Sequence, residues 1–156
     1  MNILALIPAR MGSSRFPGKP LARIMGKPMI GMVYDNVSQC SLLDQVAVAT
    51  CDQEIYSYIE SIDGTAIMTG THHVRASDRC AEAVQHLEKM HSIQYDIVVM
   101  VQGDEPMTHP DMISEVLEPL INEPDVQVAN LVGEIDGIAE FEDRNCIKVV
   151  CDRNSN

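Results

Sequence analysis

Arg10, Ser13, Arg15 and Lys19 are gathered around Gly12 and Gly18 in one short stretch of the chain, and together they suit the holding of an anion. Glycine permits a left-handed backbone and a close approach of the main chain to a ligand. Ser13 and Ser14 add hydroxyls beside main-chain N–H groups that can surround phosphate oxygens. Guanidinium forks and an ammonium group supply charge-assisted donors. Much later, Gly103-Asp104-Glu105-Pro106 follows an apolar run. A carboxylate at the carboxyl end of a strand suits Mg²⁺, which takes one or two carboxylates and completes its shell with phosphate oxygens. Capping a turn is the other role open to Asp104. Glu105 is the poorer ligand candidate, because adjacent side chains in extended backbone point apart. Two commoner phosphate loops are excluded. Pro20 stands where a P-loop needs Ser or Thr after its lysine, and G-x-G-x-x-G is absent.

Charge is distributed to the same effect. The 156 residues carry a net −12, which argues against nucleic acid or an anionic membrane as partner. Yet residues 1–34 hold Arg10, Arg15, Lys19, Arg23 and Lys27 with no acid before Asp35, a net +5 against −17 for the remainder. An acidic chain that keeps one basic loop free of acids is reserving it for an anion; a rim of surface ion pairs is the alternative. Hydrophobic residues make up 46%, which excludes disorder. No apolar run reaches the roughly 18 residues of a membrane span. The apolar start, Met1 to Pro8, reads as a strand and not a signal peptide, so a cytoplasmic protein is expected. Five cysteines without a C-x-x-C pair predict reduced, mostly buried thiols. The five histidines show no H-E-x-x-H or Cys-partner spacing, so transition-metal binding is not expected.

Apolar runs that alternate with helical patterns must position these groups. Residues 2–8, 45–50, 65–69 and 96–102 read as strands, and helices are predicted over 28–39, 52–64, 76–90 and 110–121. Asp52 is placed to cap the second helix, and residues 127–132 and 146–151 supply two later strands. The alternation predicts a Rossmann-like three-layer α/β/α fold with a mostly parallel sheet. Such sheets bind ligands outside the carboxyl ends of their strands. The expected organisation is a single α/β domain over 1–156, which either stops there or is the front part of something longer.

Ile7–Leu21 (I-P-A-R-M-G-S-S-R-F-P-G-K-P-L) resembles the opening signature of the CMP-Kdo synthetases, the 3-deoxy-manno-octulosonate cytidylyltransferases. Gly26–Ile30, Val48–Asp52, His73–Arg79, Val101–Pro106 and Ile147–Asp152 are similar to that family in order and spacing. The resemblance implies a nucleotide-diphospho-sugar transferase type of fold. It also implies transfer of a nucleotidyl group from CTP to Kdo or a related 3-deoxy sugar acid, with release of pyrophosphate, for lipopolysaccharide or other surface polysaccharide. Mg²⁺ would be the cofactor, held by Asp104, and Arg10, Lys19 and Asp104 would be catalytic. The implied nucleotide-binding set is Pro8, Ala9, Arg10, Gly12, Ser13, Arg15, Lys19, Ser77, Arg79 and Gln102. A homodimer is implied for the full-length enzymes, whose remaining part carries dimer contacts, sugar-binding residues and a second metal-binding Asp.

Some positions depart from the family. Arg75-Ala76 stands where Ser-Gly is common, adding bulk and charge beside the expected pocket, and Cys51 stands where Asp is common. Asp78-Arg79 is open to two readings, a surface ion pair or a substrate contact, and His73 reads as a loop residue with a structural or weak ligand role. Three further functions stay open: a CTP-binding relative or fragment without turnover, an acylneuraminate-type cytidylyltransferase, and a phosphate-binding module of unrelated function.

Overall fold

The computed structural model describes residues 1–12 and 16–151. Along the chain run β1 (Ile3–Ala9), a single 3₁₀ turn (Lys19–Leu21), β2 (Arg23–Ile24), β3 (Lys27–Pro28) and α1 (Met29–Ser38). They are followed by β4 (Gln45–Thr50), α2 (Gln53–Glu60), β5 (Ala66–Met68), α3 (Ala76–His91), β6 (Ile97–Met100), α4 (Pro110–Asn122) and α5 (Gly137–Glu142).

Every residue of β1 is buried, as a strand covered on both faces requires. It pairs in parallel with β4 on one side and β6 on the other, and β5 joins the far edge of β4, giving the order β5-β4-β1-β6. Because successive strand residues face opposite ways, β1 feeds two cores. Ile3, Ala5 and Ile7 pack with Ile30, Val33 and Val37 of α1, Ile55 and Ile59 of α2, and Ile113 and Leu117 of α4. Leu4 and Leu6 pack with Cys80, Ala83 and Leu87 of α3. The result is the expected α/β/α sandwich.

Two-residue strands β2 and β3 form a small antiparallel ribbon. Met25 and Gly26 between them both have positive φ, 49° and 89°. That is the requirement of a tight primed hairpin turn, and Gly26 meets it without a Cβ penalty. The ribbon leads directly into α1, whose Met29 N–H donates to Ala22 O at 2.9 Å.

Three expectations are corrected. Residues 127–132 and 146–151 are not strands. Val128, Val132, Ile147, Val149 and Val150 are exposed, and β-branched runs become strands only where a pleated neighbour accepts them. Asp52 does not cap α2 with its side chain; its Oδ2 accepts from Met11 N–H at 2.8 Å instead. Nor does Arg79 form a surface pair with Asp78, for its side chain is turned inward and buried.

Among the described residues no helix is long and apolar enough to cross a membrane. All five cysteines are free thiols, but against expectation only Cys40 and Cys80 are buried. Burial pushes the Cys80 thiol up to about 11, against the opposing pull of Arg79. Since the thiolate is the reactive form, a maleimide is expected to modify exposed Cys151 well before Cys80. Peptide mapping of a timed reaction checks this, and equal rates at the two thiols would contradict it.

Candidate functional site

From β1 the chain moves to β4 and β5 on one side, then returns across β1 to β6 on the other. Ligands of open α/β sheets bind at such a reversal, beyond the carboxyl ends of the strands. A cleft of about 540 Å³ lies there. Its walls are Pro8, Ala9 and Arg10 at the end of β1; Phe16, Lys19, Pro20 and Met29; His73, Val74, Arg75, Ala76 and Arg79; and Gln102, Gly103 and Asp104 after β6.

Local packing explains how these groups meet. Val101 N–H donates to Leu6 O at 3.0 Å, carrying the β1–β6 pairing past the last strand residue. At Gly103 a Cβ would stand 2.7 Å from Pro8 O and 3.3 Å from Ile30 Cδ1, so only glycine lets this segment lie against the end of β1. The loop after β1 is tied at both ends. Met11 N–H is held by Asp52, and Gly18 N–H donates back to Met11 O at 3.0 Å. Gly18 itself has φ 75°, and the 3₁₀ turn that follows delivers Lys19 to the cleft.

Lys19 Nζ lies 2.5 Å from Asp104 Oδ2, bridging the loop to the end of β6, with both side chains partly exposed. Arg79, from the first turns of α3, is 3% exposed. One of its terminal nitrogens donates to Thr69 Oγ1, and the other is buried without a hydrogen-bond partner among the described residues. Thr69 is fixed in turn by two donations to Thr50 O, from its N–H at 2.8 Å and its hydroxyl at 3.1 Å. Beside it, Glu82 accepts from Gly70 N–H at 3.1 Å and pairs with His73 Nε2. The His73 bond, then the Gly70 bond, hold the Glu82 carboxyl below its ordinary range.

Four cations (Arg10, Lys19, Arg75 and Arg79) face one carboxylate, Asp104, among the described lining residues. In an acidic protein that is a focused positive site, fitted to a polyanion. A lone half-exposed carboxylate opposite several cations also fits Mg²⁺, which would draw its remaining oxygens from the polyanion.

Pro8, Ala9, Arg10, Lys19, Arg79, Gln102 and Asp104, all expected from the sequence, come together in this cleft. Gly12 and Ser77 are exposed and are not among its lining residues. Ser13 and Arg15 lie outside the described residues. Arg75, noted as a departure, does line the cleft, and so does His73. Sequence reading missed Gly103, Met29 and Val74 as lining residues and Asp52 as the anchor of the loop. A glycine directly after the apolar run of residues 96–102 was the available signal for Gly103; Asp52 had none beyond its position.

A family model described as cytidylyltransferase matches residues 4–156. The chain is 44% identical over 154 residues to the 3-deoxy-manno-octulosonate cytidylyltransferase of Trichlorobacter lovleyi, covering 99% of this chain and 59% of that protein. It is 45% identical over 155 residues to the enzyme of the same name from Syntrophus aciditrophicus, covering 99% of this chain and 61% of that one. The chain thus spans about three-fifths of the length of these curated relatives. A solved CMP:2-keto-3-deoxy-manno-octonic acid synthetase, complexed with CTP, superposes with a TM-score of 0.72 at 39% identity, over 81% of this chain and 50% of that one. A cytidylyltransferase from Leptospira borgpetersenii shares the fold, with a TM-score of 0.62 at 23% identity over 79% of this chain and 50% of that one. With a family match running nearly the whole length and a cationic cleft at the sheet's reversal point, the chain belongs to the cytidylyltransferase family.

Proposed function

We propose that this chain is the nucleotide-binding portion of a 3-deoxy-manno-octulosonate cytidylyltransferase. It would take CTP and Kdo, or a closely related sugar acid, and release CMP-sugar and pyrophosphate. The observation that carries the reading is the cleft at the carboxyl ends of β1 and β6, lined by Arg10, Lys19, Arg75 and Arg79, where Lys19 pairs with Asp104. The relatives' printed names and the CTP complex of the structural neighbour support the choice of nucleotide and sugar.

In this reaction a sugar hydroxyl oxygen forms a bond to the α-phosphorus, the bond to the bridging oxygen breaks, and pyrophosphate leaves. There is little covalent chemistry for protein groups to perform, so positioning and charge neutralisation dominate. Arg10 and Lys19 hold the phosphates, a role the sequence resemblance extends to Ser13 and Arg15. Arg79 and Gln102 face the nucleoside and sugar side. Mg²⁺ at Asp104 would neutralise phosphate charge and orient the reacting oxygens. Arg75 adds a cation suited to the carboxylate of an acidic sugar. A cytoplasmic location, a homodimer of the longer enzyme and a product destined for surface polysaccharide belong to the same proposal.

The deciding assay incubates the protein with CTP, Mg²⁺ and Kdo and measures pyrophosphate release. CTP binding without release would favour a binding-only role, a reading prompted by the three-fifths coverage of the relatives. Release with a sialic acid but not with Kdo would reassign the sugar. Lys19→Ala is expected to weaken CTP binding by about 1.5–3 kcal/mol, the range for a hydrogen bond to a charged group. Calorimetry measures this directly, and an unchanged affinity would remove Lys19 from the phosphate site.

A further inference from the structure

His72, His73 and Glu82 are brought together at the rim of the cleft, although their spacing in sequence matches no familiar metal motif. One ligand atom from each lies within 4.8 Å of the others. His73 Nε2 contacts Glu82 Oε2, and the rings of His72 and His73 sit with centroids 4.2 Å apart, tilted by 41°. His86, one helical turn beyond Glu82 on α3, has Nε2 3.8 Å from Glu82 Oε1, so a further nitrogen is at hand. A His73–Glu82 hydrogen bond accounts for two of these groups but not for His72. The His72 ring is folded over Gly70 so closely that a Cβ there would stand 2.4 Å from Cε1 and 2.5 Å from Nδ1. His72 nevertheless makes no hydrogen bond among the described residues.

We propose that His72, His73 and Glu82 form a binding site for a divalent transition metal of the zinc class, with water in the remaining position. Two imidazoles and one carboxylate are the donor set of many three-ligand zinc sites. Imidazole nitrogen favours zinc, cobalt and nickel over magnesium, so the site is chemically distinct from Asp104. Zinc bonds of about 2.0–2.1 Å place tetrahedral ligand atoms roughly 3.4 Å apart, within small side-chain rotations of the spacing seen here. Glu82 is ready as a carboxylate, and its bonds from Gly70 N–H steady it in the way outer hydrogen bonds steady metal ligands. A bound ion would cross-link the segment carrying His72 and His73 to α3. Because Val74 and Arg75 of that segment line the cleft, the ion would also stiffen one wall of it.

The inference does not depend on the nucleotide or the sugar, so its test uses metal alone. Chelator-stripped protein is titrated with Co²⁺ and with Zn²⁺, followed by visible absorption and calorimetry. One ion per chain is expected, with tetrahedral Co²⁺ bands and without a thiolate charge-transfer band. His72→Ala, at an exposed position, leaves the fold unchanged by circular dichroism and lowers affinity at least tenfold. His73→Ala lowers it as much or more. Absence of binding in the wild type would overturn the assignment. So would a thiolate band, or full affinity retained in folded His72→Ala.

Discussion

Asp104→Asn is expected to lower pyrophosphate release from CTP by about 10²–10³-fold, the loss typical of removing one electrostatic element of a phosphoryl-transfer site. Stability should hardly change. The Lys19–Asp104 pair has side chains 35% and 44% exposed, and ion pairs in that setting contribute about 0–1 kcal/mol. Activity and stability therefore separate in this variant, and urea unfolding alongside the release assay measures both. A second readout isolates the metal. In the native protein Mg²⁺ should strengthen CTP binding, whereas in Asp104→Asn that strengthening should largely disappear. Lys19 gives the expected counter-effect. Once the carboxylate charge beside it is gone, its ammonium is free for phosphate, so metal-free CTP binding should hold or improve. Full Mg²⁺-dependent turnover in the Asp104→Asn variant would exclude Asp104 as the ligand.

Gly103→Ala should show the opposite separation, a loss of stability and of the cleft together. The added methyl would meet Pro8 O at 2.7 Å, and that neighbour is backbone in the central strand, not a side chain that can swing away. Forced volume of this kind costs about 1–3 kcal/mol in a packed interior. To relieve it, the segment after β6 must move off β1, carrying Gln102 and Asp104 away from Arg10 and Lys19. A midpoint shift in urea is expected with at least a tenfold fall in CTP affinity. If Gly103→Ala kept both stability and affinity, the close approach would not be what forms the cleft. Ala at Gly133, where a Cβ meets nothing within 4 Å, is the matched control and should be close to neutral.

The layers were legible because their signals are local. A continuous apolar run such as Ile3–Ala9, buried throughout, says strand on its own, and α1 and α3 announce themselves by periodicity. The two late strands were misread for the same reason. Ile147, Val149 and Val150 have the right residue types, but local preference cannot supply a pairing partner. At the site, charge marked Lys19 and position marked Asp104. What could not be read was the role of groups that act across long separations. Asp52 holds Met11 from 41 residues away, and Glu82 gathers Gly70 and His73 from the far side of a turn. For Asp78-Arg79 the sequence left a surface pair and a substrate contact both open, and only the placement of Thr69 and Gly70 turns Arg79 inward.

The pairing of β1 with β6 also has a kinetic consequence. Leu6 lies opposite Met100, and the Asn2–Asp96 bond at the start of the same ladder spans 94 residues. Closing so long a loop is slow, and contacts of that separation burden the folding rate. The cleft cannot exist until those strands meet, so nucleotide has nothing to bind during the early steps. CTP should consequently act as a brake on unfolding and not as a spur to folding. In a chevron, the ligand would lower the unfolding limb and leave the refolding limb in place.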